Sequence, residues 1–266
     1  VPVLDVDLNL NCVDLREFGW SSRPTTVCGQ ILSHSEGLSL DTLLAKIDIK
    51  NIDLQYDTVH IRPGDVAIDL NLDNPKNSLV VDSDWLEGKL GGHFSIEDLP
   101  ETIGNIAGQY LAVDRSAALP KTGTDSLSAH FHLLKSDVLT TGLVPGLTDL
   151  GLLHLELDLV ARRNFFNLFF AAPRVVYQAW AVDSLVARSF AGDSAAMFVV
   201  TTPLVKNAGE AFIENAVFDG RFLKNVADVS FKASDEKGRE RFMLAAQGFL
   251  KKGTKDCSQS FNSLEK

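Results

Sequence analysis

His130 and His132 stand two apart in the run Ala129-His130-Phe131-His132-Leu133. On a strand that spacing sends both imidazoles out from one face, an arrangement that metal sites in β-proteins use. A third donor is needed, and the nearest in sequence are Asp125 and Asp137; a solvated strand face is the simpler reading, so no metal is expected. Asp69-Leu70-Asn71-Leu72-Asp73 opens like a calcium loop, but Asn74 takes the sixth position, where Gly is needed, and Val80 the twelfth, where Glu is needed. The carboxylate pairs Asp5 and Asp7, Asp82 and Asp84, and Glu156 and Asp158 have the residue types that hydrolyse glycosides. Each pair also falls where alternation demands something hydrophilic, which accounts for it without chemistry. Gly192-Asp193-Ser194-Ala195-Ala196 lacks the closing glycine of a nucleophile elbow and leads into a strand-like run instead of a helix. No phosphate-cradling glycine motif is present. The chain therefore reads as a non-enzyme, with no catalytic residue and no cofactor.

Composition narrows the classes further. Across 266 residues, 45% are hydrophobic and 23% charged, which is too apolar for a disordered segment. A net charge of −10 opposes a broad polyanion-binding face, so nucleic acid is not an expected partner. Cys12, Cys28 and Cys257 form no CxxC pattern and their odd number leaves at least one thiol over; a bridge between Cys12 and Cys28 stays open. No apolar run approaches the ~18 residues of a membrane-spanning helix. The chain enters an alternating run almost at once, and it reads as a piece cut from a longer protein.

The elements follow from period-two patterning, the mark of a sheet with one dry side. Leu4, Val6, Leu8 and Leu10 point one way, and Asp5, Asp7, Asn9 and Asn11 the other. The pattern returns at Val66, Ile68, Leu70 and Leu72, and again at Leu86, Leu90, Phe94 and Ile96, where Gly88 and Gly92 thin the apolar row. It continues through Leu127, Ala129, Phe131 and Leu133, then Leu153, Leu155, Leu157 and Leu159, and ends with Phe242, Leu244, Ala246 and Gly248 to Leu250. Weaker strands are expected near residues 25 to 32, 45 to 62, 174 to 190, 195 to 202, 211 to 219 and 226 to 233. Turn chemistry separates the runs at Asn74-Pro75-Lys76-Asn77, Asp193-Ser194, Lys206-Asn207-Ala208-Gly209 and Asp235-Glu236-Lys237-Gly238. Strand, turn, strand in this order predicts an antiparallel meander.

One segment breaks the rhythm. Asp98 caps and Pro100 suits a first helical turn, while Ile103, Ile106, Ala107, Tyr110 and Leu111 recur at helical spacing. An amphipathic helix is expected there, and a second short helical or irregular piece at Asp137 to Leu150. The organisation is a β segment over 1–97, an inserted helix over 98–112, a second β segment over 113–250 and a polar tail over 251–266. Phe165-Phe166 with Phe169-Phe170 is the densest aromatic patch, read first as core packing. Apolar faces dominated by Leu and Ile along the whole length fit a long sheet curled into a trough, apolar inside and acidic outside. The competing reading is a closed core, in which the same faces pack against each other.

The run from Asn77 through Ser83-Asp84-Trp85, Leu86-Glu87-Gly88-Lys89-Leu90 and Asp98-Leu99-Pro100 to Tyr110-Leu111 resembles the TamB family of bacterial envelope proteins, particularly its Bacteroidetes members. Leu143-Val144-Pro145-Gly146-Leu147, Ala172-Pro173-Arg174-Val175-Val176-Tyr177 and Phe218-Asp219-Gly220 are similar to later phrases of the same proteins, and the likeness runs from about residue 40 to 250. It implies a mainly β, antiparallel-rich, U-shaped trough, the β-taco, spanning the periplasm from an inner-membrane anchor to an outer-membrane barrel partner of the TamA type. It also implies transfer of phospholipid and a part in outer-membrane protein assembly. Lining the acyl-chain groove would be Leu4, Val6, Leu8, Leu10, Val66, Ile68, Leu70 and Leu72, then Leu86, Leu90, Phe94 and Phe131, and finally Leu153, Leu155, Leu157, Phe242 and Leu244. The alternative is a structural or adhesive β-repeat region of a secreted surface protein.

Overall fold

Apolar alternation becomes strand almost throughout. The computed structural model describes residues 2–19, 24–37, 42–56, 58–72, 76–95, 126–140, 144, 146–192, 195–223, 226–249 and 259–262. Its first strands are β1 (Val3–Asp14), β2 (Thr25–Glu36), β3 (Leu44–Tyr56), β4 (Val59–Asn71), β5 (Asn77–Ser83), β6 (Leu86–His93), β7 (Ser126–Leu133) and β8 (Leu147–Leu150). They are followed by β9 (His154–Val160), β10 (Phe165–Tyr177), β11 (Trp180–Ala191), β12 (Ala196–Asn207), β13 (Glu210–Leu223), β14 (Val226–Ser234), β15 (Glu240–Phe249) and β16 (Gln259–Asn262). Hydrogen bonding runs from β1 to β16 in chain order, with β8 set beside β10, and the path does not close on itself. The protein is mainly β, with an antiparallel, open sheet.

Residue contacts divide the chain into two compact units. The first comprises Val1–His93, Ala129–His154 and Val176–Gln178; the second comprises Phe94–Ser128, Leu155–Val175 and Ala179–Lys266.

Several boundaries differ from the sequence reading for local reasons. The stretch 45–62 is two strands, because the chain reverses between Tyr56 and Val59 and pairs them directly. The stretch 174–190 likewise divides at Gln178 and Ala179, with Gln178 in the left-handed region at φ 54°. The turn expected at Ala208-Gly209 forms, and both residues have positive φ, 51° and 88°, the conformation that matches the twist of a two-residue hairpin. Among the described residues of the segment expected to be helical or irregular, 137–140 form a short helical turn and Leu147–Leu150 pairs as β8. Gln259–Asn262, in the expected polar tail, pairs with β15. The helix expected over 98–112 lies outside the described residues.

Proline and positive φ mark where the ladders bend. In the first unit Cys12 (φ 57°) is the extra residue of a bulge between Leu10 and Val13, and the register shifts again beside Gly29 and Asn51 (φ 53°). The Cys12–Cys28 disulfide ties these two strands at the bulge, with 4.1 Å between Cα atoms. In the second unit Pro203 has no N–H to give the ladder. Pairing is regular at Asp183↔Leu204 and Val186↔Thr201, and the gap between them holds Ser184 (φ 50°) opposite Pro203. Asn215 (φ 45°) stands across from the same proline on β13. Polar side chains add hydrogen bonds at these irregularities: Thr202 Oγ1 donates to the Asp183 carbonyl at 2.7 Å, and Asn215 Nδ2 donates at 3.0 Å to the Asp235 carbonyl, which also accepts the Gly238 N–H.

Candidate functional site

Directly opposed residues on antiparallel strands share a face, so register converts the apolar rows of single strands into ladders. In the first unit one ladder runs Leu4–Ser35–Ala45–Leu70–Leu79–Leu90, and a second Val6–Ser33–Ile47–Ile68–Val81–Gly88. A third runs Leu8–Ile31–Ile49–Val66. Phe131 of β7 lies over Gly88, where any side chain would collide with its ring. The gap that the glycine leaves in the apolar row is thus filled from a neighbouring strand.

The face is not sealed at β1. Leu4, Val6 and Leu8 are 53%, 36% and 46% exposed, whereas Val66, Ile68, Leu70, Leu86 and Leu90 are half-buried. Leu10 is half-buried too, while Leu72 is 2% and Phe94 3% exposed. Among the described residues, Leu72 and Leu159 are the large side chains that are fully buried.

The opposite face of the first unit is charged and partly paired. Asp5, His34, Lys46 and Asp69 follow one another across four strands, with His34 Nδ1 2.6 Å from Asp5 Oδ1 and Lys46 4.0 Å from Asp69. The hydrogen bond to Asp5 raises the His34 pKa above its ordinary value, with the charges of Asp5 and Glu36 acting in the same direction. Asp53 is held below the usual carboxylate range, first by the Arg62 guanidinium at 3.0 Å and then by His60. Each side chain here has a strand neighbour to answer it, which is the behaviour of a solvated face.

In the second unit the corresponding ladder is aromatic. Val200–Phe218–Phe231–Leu244 crosses β12 to β15, and beside it run Phe198–Gly220–Val229–Ala246 and Ala233–Phe242. Phe198 lies over Gly220 as Phe131 lies over Gly88, with its ring centroid 5.0 Å from Phe218 and 6.0 Å from Phe222. Phe231 and Phe242 meet at 5.7 Å. Phe218, Phe242 and Leu244 stay exposed, Phe242 at 52%. Leu155 and Leu157 are half-buried on β9.

At one end of this face, Phe212, Ile213, Phe231 and Phe242 border a groove of about 470 Å³, together with Glu214, Asp235 and Arg241. Trp180 packs edge-on against Phe212, with 5.3 Å between centroids. Asp235 is 7% exposed and accepts the backbone N–H groups of Lys237 and Arg239 as well as the Arg239 guanidinium. These contacts, led by the Arg239 backbone N–H, lower its pKa against the opposing effect of burial.

The residues singled out for chemistry are not assembled. His130 and His132 are exposed on β7, and the His132 ring meets His154 at a tilt, with 4.2 Å between centroids; no group of three metal-ligating side chains occurs among the described residues. Asp69 and Asn71 are strand residues of β4. Phe165, Phe166, Phe169 and Phe170 all fall on β10, where successive residues leave opposite faces, so they do not make one patch. Phe165 meets Phe190 edge-on and Phe169 carries Arg188 above its ring at 5.4 Å. The face carrying Phe198, Phe218 and Phe231 was not expected from the sequence, although Phe218 and Phe222, four residues apart on one side of a strand, carried a signal for it. Among the described residues no helix is long and apolar enough to cross a membrane. Comparison with protein-family models, curated proteins and solved structures finds no match.

Proposed function

We propose that this chain is a segment of a lipid-transfer bridge of the bacterial periplasm, shielding phospholipid acyl chains along apolar sheet faces, as its resemblance to the TamB family implies. The observation that carries the reading is the row Leu4, Val6 and Leu8, exposed on β1: Leu8 continues by register through Ile31, Ile49 and Val66, and Leu4 and Val6 join the apolar rows of β3 to β5 across Ser35 and Ser33. A hydrocarbon tail in water is disfavoured by about 0.8 kcal/mol for each CH₂ it leaves unburied. An apolar face that ends in solvent offers that burial. The parent chain would supply the inner-membrane anchor and the contact to a TamA-type barrel, linking the segment to outer-membrane assembly. The Cys12–Cys28 disulfide supports an oxidising compartment such as the periplasm.

Delipidated protein titrated with a fluorescent fatty acid tests the reading. Saturable uptake is expected, together with co-purified phospholipid in native mass spectra of detergent-free protein. Leu8→Asp, at an exposed position, should abolish uptake in the first unit with an unchanged circular dichroism spectrum. A clean apo mass and no uptake by the unmodified chain would leave the structural or adhesive reading in its place.

A further inference from the structure

β1 lies at one end of the sheet order, with β2 as its hydrogen-bonded neighbour. In an antiparallel ladder a residue turns both of its backbone groups to one side, and the next residue turns both to the other. The Pro2 carbonyl accepts the Gly37 N–H at 3.0 Å. The even residues up to Leu10 therefore face β2, and Val3, Asp5, Asp7 and Asn9 present N–H and C=O to the outer edge. An edge of this kind is a template for another strand. Its side chains are open to solvent on both faces, with Leu4, Val6 and Leu8 exposed on the dry side and Asp5, Asp7, Asn9 and Asn11 on the wet side. Asp5 and Asp7 are already met from β2 by His34 and Gln30, and each carboxylate keeps acceptor capacity beyond that one contact.

The order of these residues is self-complementary. Asp5-Val6-Asp7-Leu8-Asn9-Leu10-Asn11 places two carboxylates before its central leucine and two carboxamides after it, at matching distances. We infer that the outer edge of β1 is an interface between two copies of this chain, paired antiparallel about a two-fold axis at Leu8. In that register Asp7 stands opposite the second copy's Asn9, and Asp5 opposite its Asn11, so every wet-face pair joins a carboxylate acceptor to an amide donor. On the dry face Leu8 meets Leu8 and Val6 meets Leu10, and an axis normal to the sheet keeps both apolar faces on one side. Odd residues meet odd residues, as the outward backbone groups require. The neighbouring registers lose this match, because like charges directly opposite each other are destabilising. An axis at Asp7 sets Asp7 against Asp7, one at Val6 sets Asp5 against Asp7, and one at Asn9 sets Leu4 against Asp14. A two-fold contact uses one patch twice, and this strand carries both halves of it. The interface is independent of acyl-chain carriage and stands or falls apart from it.

Sedimentation equilibrium of the whole chain tests the interface, at about 0.15 M ionic strength so that the charge of −10 on each copy is screened. A monomer–dimer equilibrium is expected. Asn9→Asp sets a carboxylate against Asp7 twice in each dimer and should weaken association about tenfold, with an unchanged circular dichroism spectrum. Asn9→Lys sets a cation against Asp7 twice and should tighten association by a similar factor, an advantage that added salt reduces. Leu8→Cys should give more covalent dimer on air oxidation than the unmodified chain, since Cα atoms of a directly opposed, non-hydrogen-bonded pair lie about 4.5 Å apart. Val6→Cys, which faces Leu10, should not. A chain that stays monomeric at about 100 μM overturns the interface. So does a dimer whose affinity is the same with Asn, Asp and Lys at position 9, because association would then use another surface. Covalent dimer from Val6→Cys as readily as from Leu8→Cys overturns the register. Should Asn9→Asp fail to fold, Asn9→Lys and Leu8→Cys decide between these outcomes.

Discussion

The two units solve one problem with different chemistry. Each carries an apolar sheet face crossed by bulges, and a bulge leaves backbone groups without ladder partners and bends the strand. In the first unit the face is aliphatic, built on Ile47, Ile68 and Leu70, and the bulge between β1 and β2 is pinned covalently by Cys12 and Cys28. In the second the face is aromatic, built on Phe198, Phe218 and Phe231, and the irregularity around Pro203 is held by Thr202 and Asn215 hydrogen bonds to backbone carbonyls. The location explains the difference. β1 ends the sheet and has one neighbour, so a polar side chain there competes with water, whereas a disulfide does not. β12 and β13 have neighbours on both sides, and Thr202 is 9% exposed, which makes its hydrogen bond hard to replace by solvent.

Reduction, or Cys12→Ala with Cys28→Ala, should produce the largest effect. A loop of this length is worth about 3 kcal/mol in the chain-entropy account, and amide exchange should accelerate in β1 and β2 while β13 and β14 keep their protection. Equal acceleration in both units would remove the contrast. Asn215→Ala comes next, at about 1–2 kcal/mol, since it forfeits a hydrogen bond and puts alanine, which tolerates left-handed backbone less well than asparagine, at φ 45°. Asn215→Gly should recover the conformational part, and thermal unfolding of the pair separates the two contributions. If both variants unfold together, the hydrogen bond alone holds the bend.

The smallest effect is that of pH. His34 has its pKa raised by Asp5, so its contribution is complete below about pH 6.5 and is lost as pH rises through the raised folded value. Asp235 and Asp53 have lowered pKa values; their contributions are present above about pH 3.9 and disappear as pH falls through the folded values. Alkaline loss is therefore expected at the β1–β2 edge, and NMR titration of the His34 ring with exchange rates at neighbouring amides checks it. An unshifted His34 titration would contradict the Asp5 contact.

Much of this was legible in residue order. Val66, Ile68 and Leu70 against Asp65, Asp69 and Asn71 alternate along β4 as their pattern requires, because strand side chains change face at every residue. Ala208-Gly209 could be read as a turn from composition alone. The hairpin turns at Tyr56–Val59 and Gln178-Ala179 could not, since apolar residues continue on both sides without Gly or Pro between them. The aromatic face stayed hidden for a related reason: Phe198 and Phe231 are each the one phenylalanine of a strand of modest alternation, and they join the phenylalanines of β13 only through register.

Sequence by itself determined that the chain is a succession of antiparallel strands with a dry and a wet face, because period two and turn chemistry are local properties. Only the tertiary structure decided which rows join, that Leu4, Val6 and Leu8 remain exposed, and that Arg239 and Arg241 meet at Asp235. Those outcomes depend on register and bulges, and a bulge of one residue changes which side chains share a face without altering the composition that preceded it.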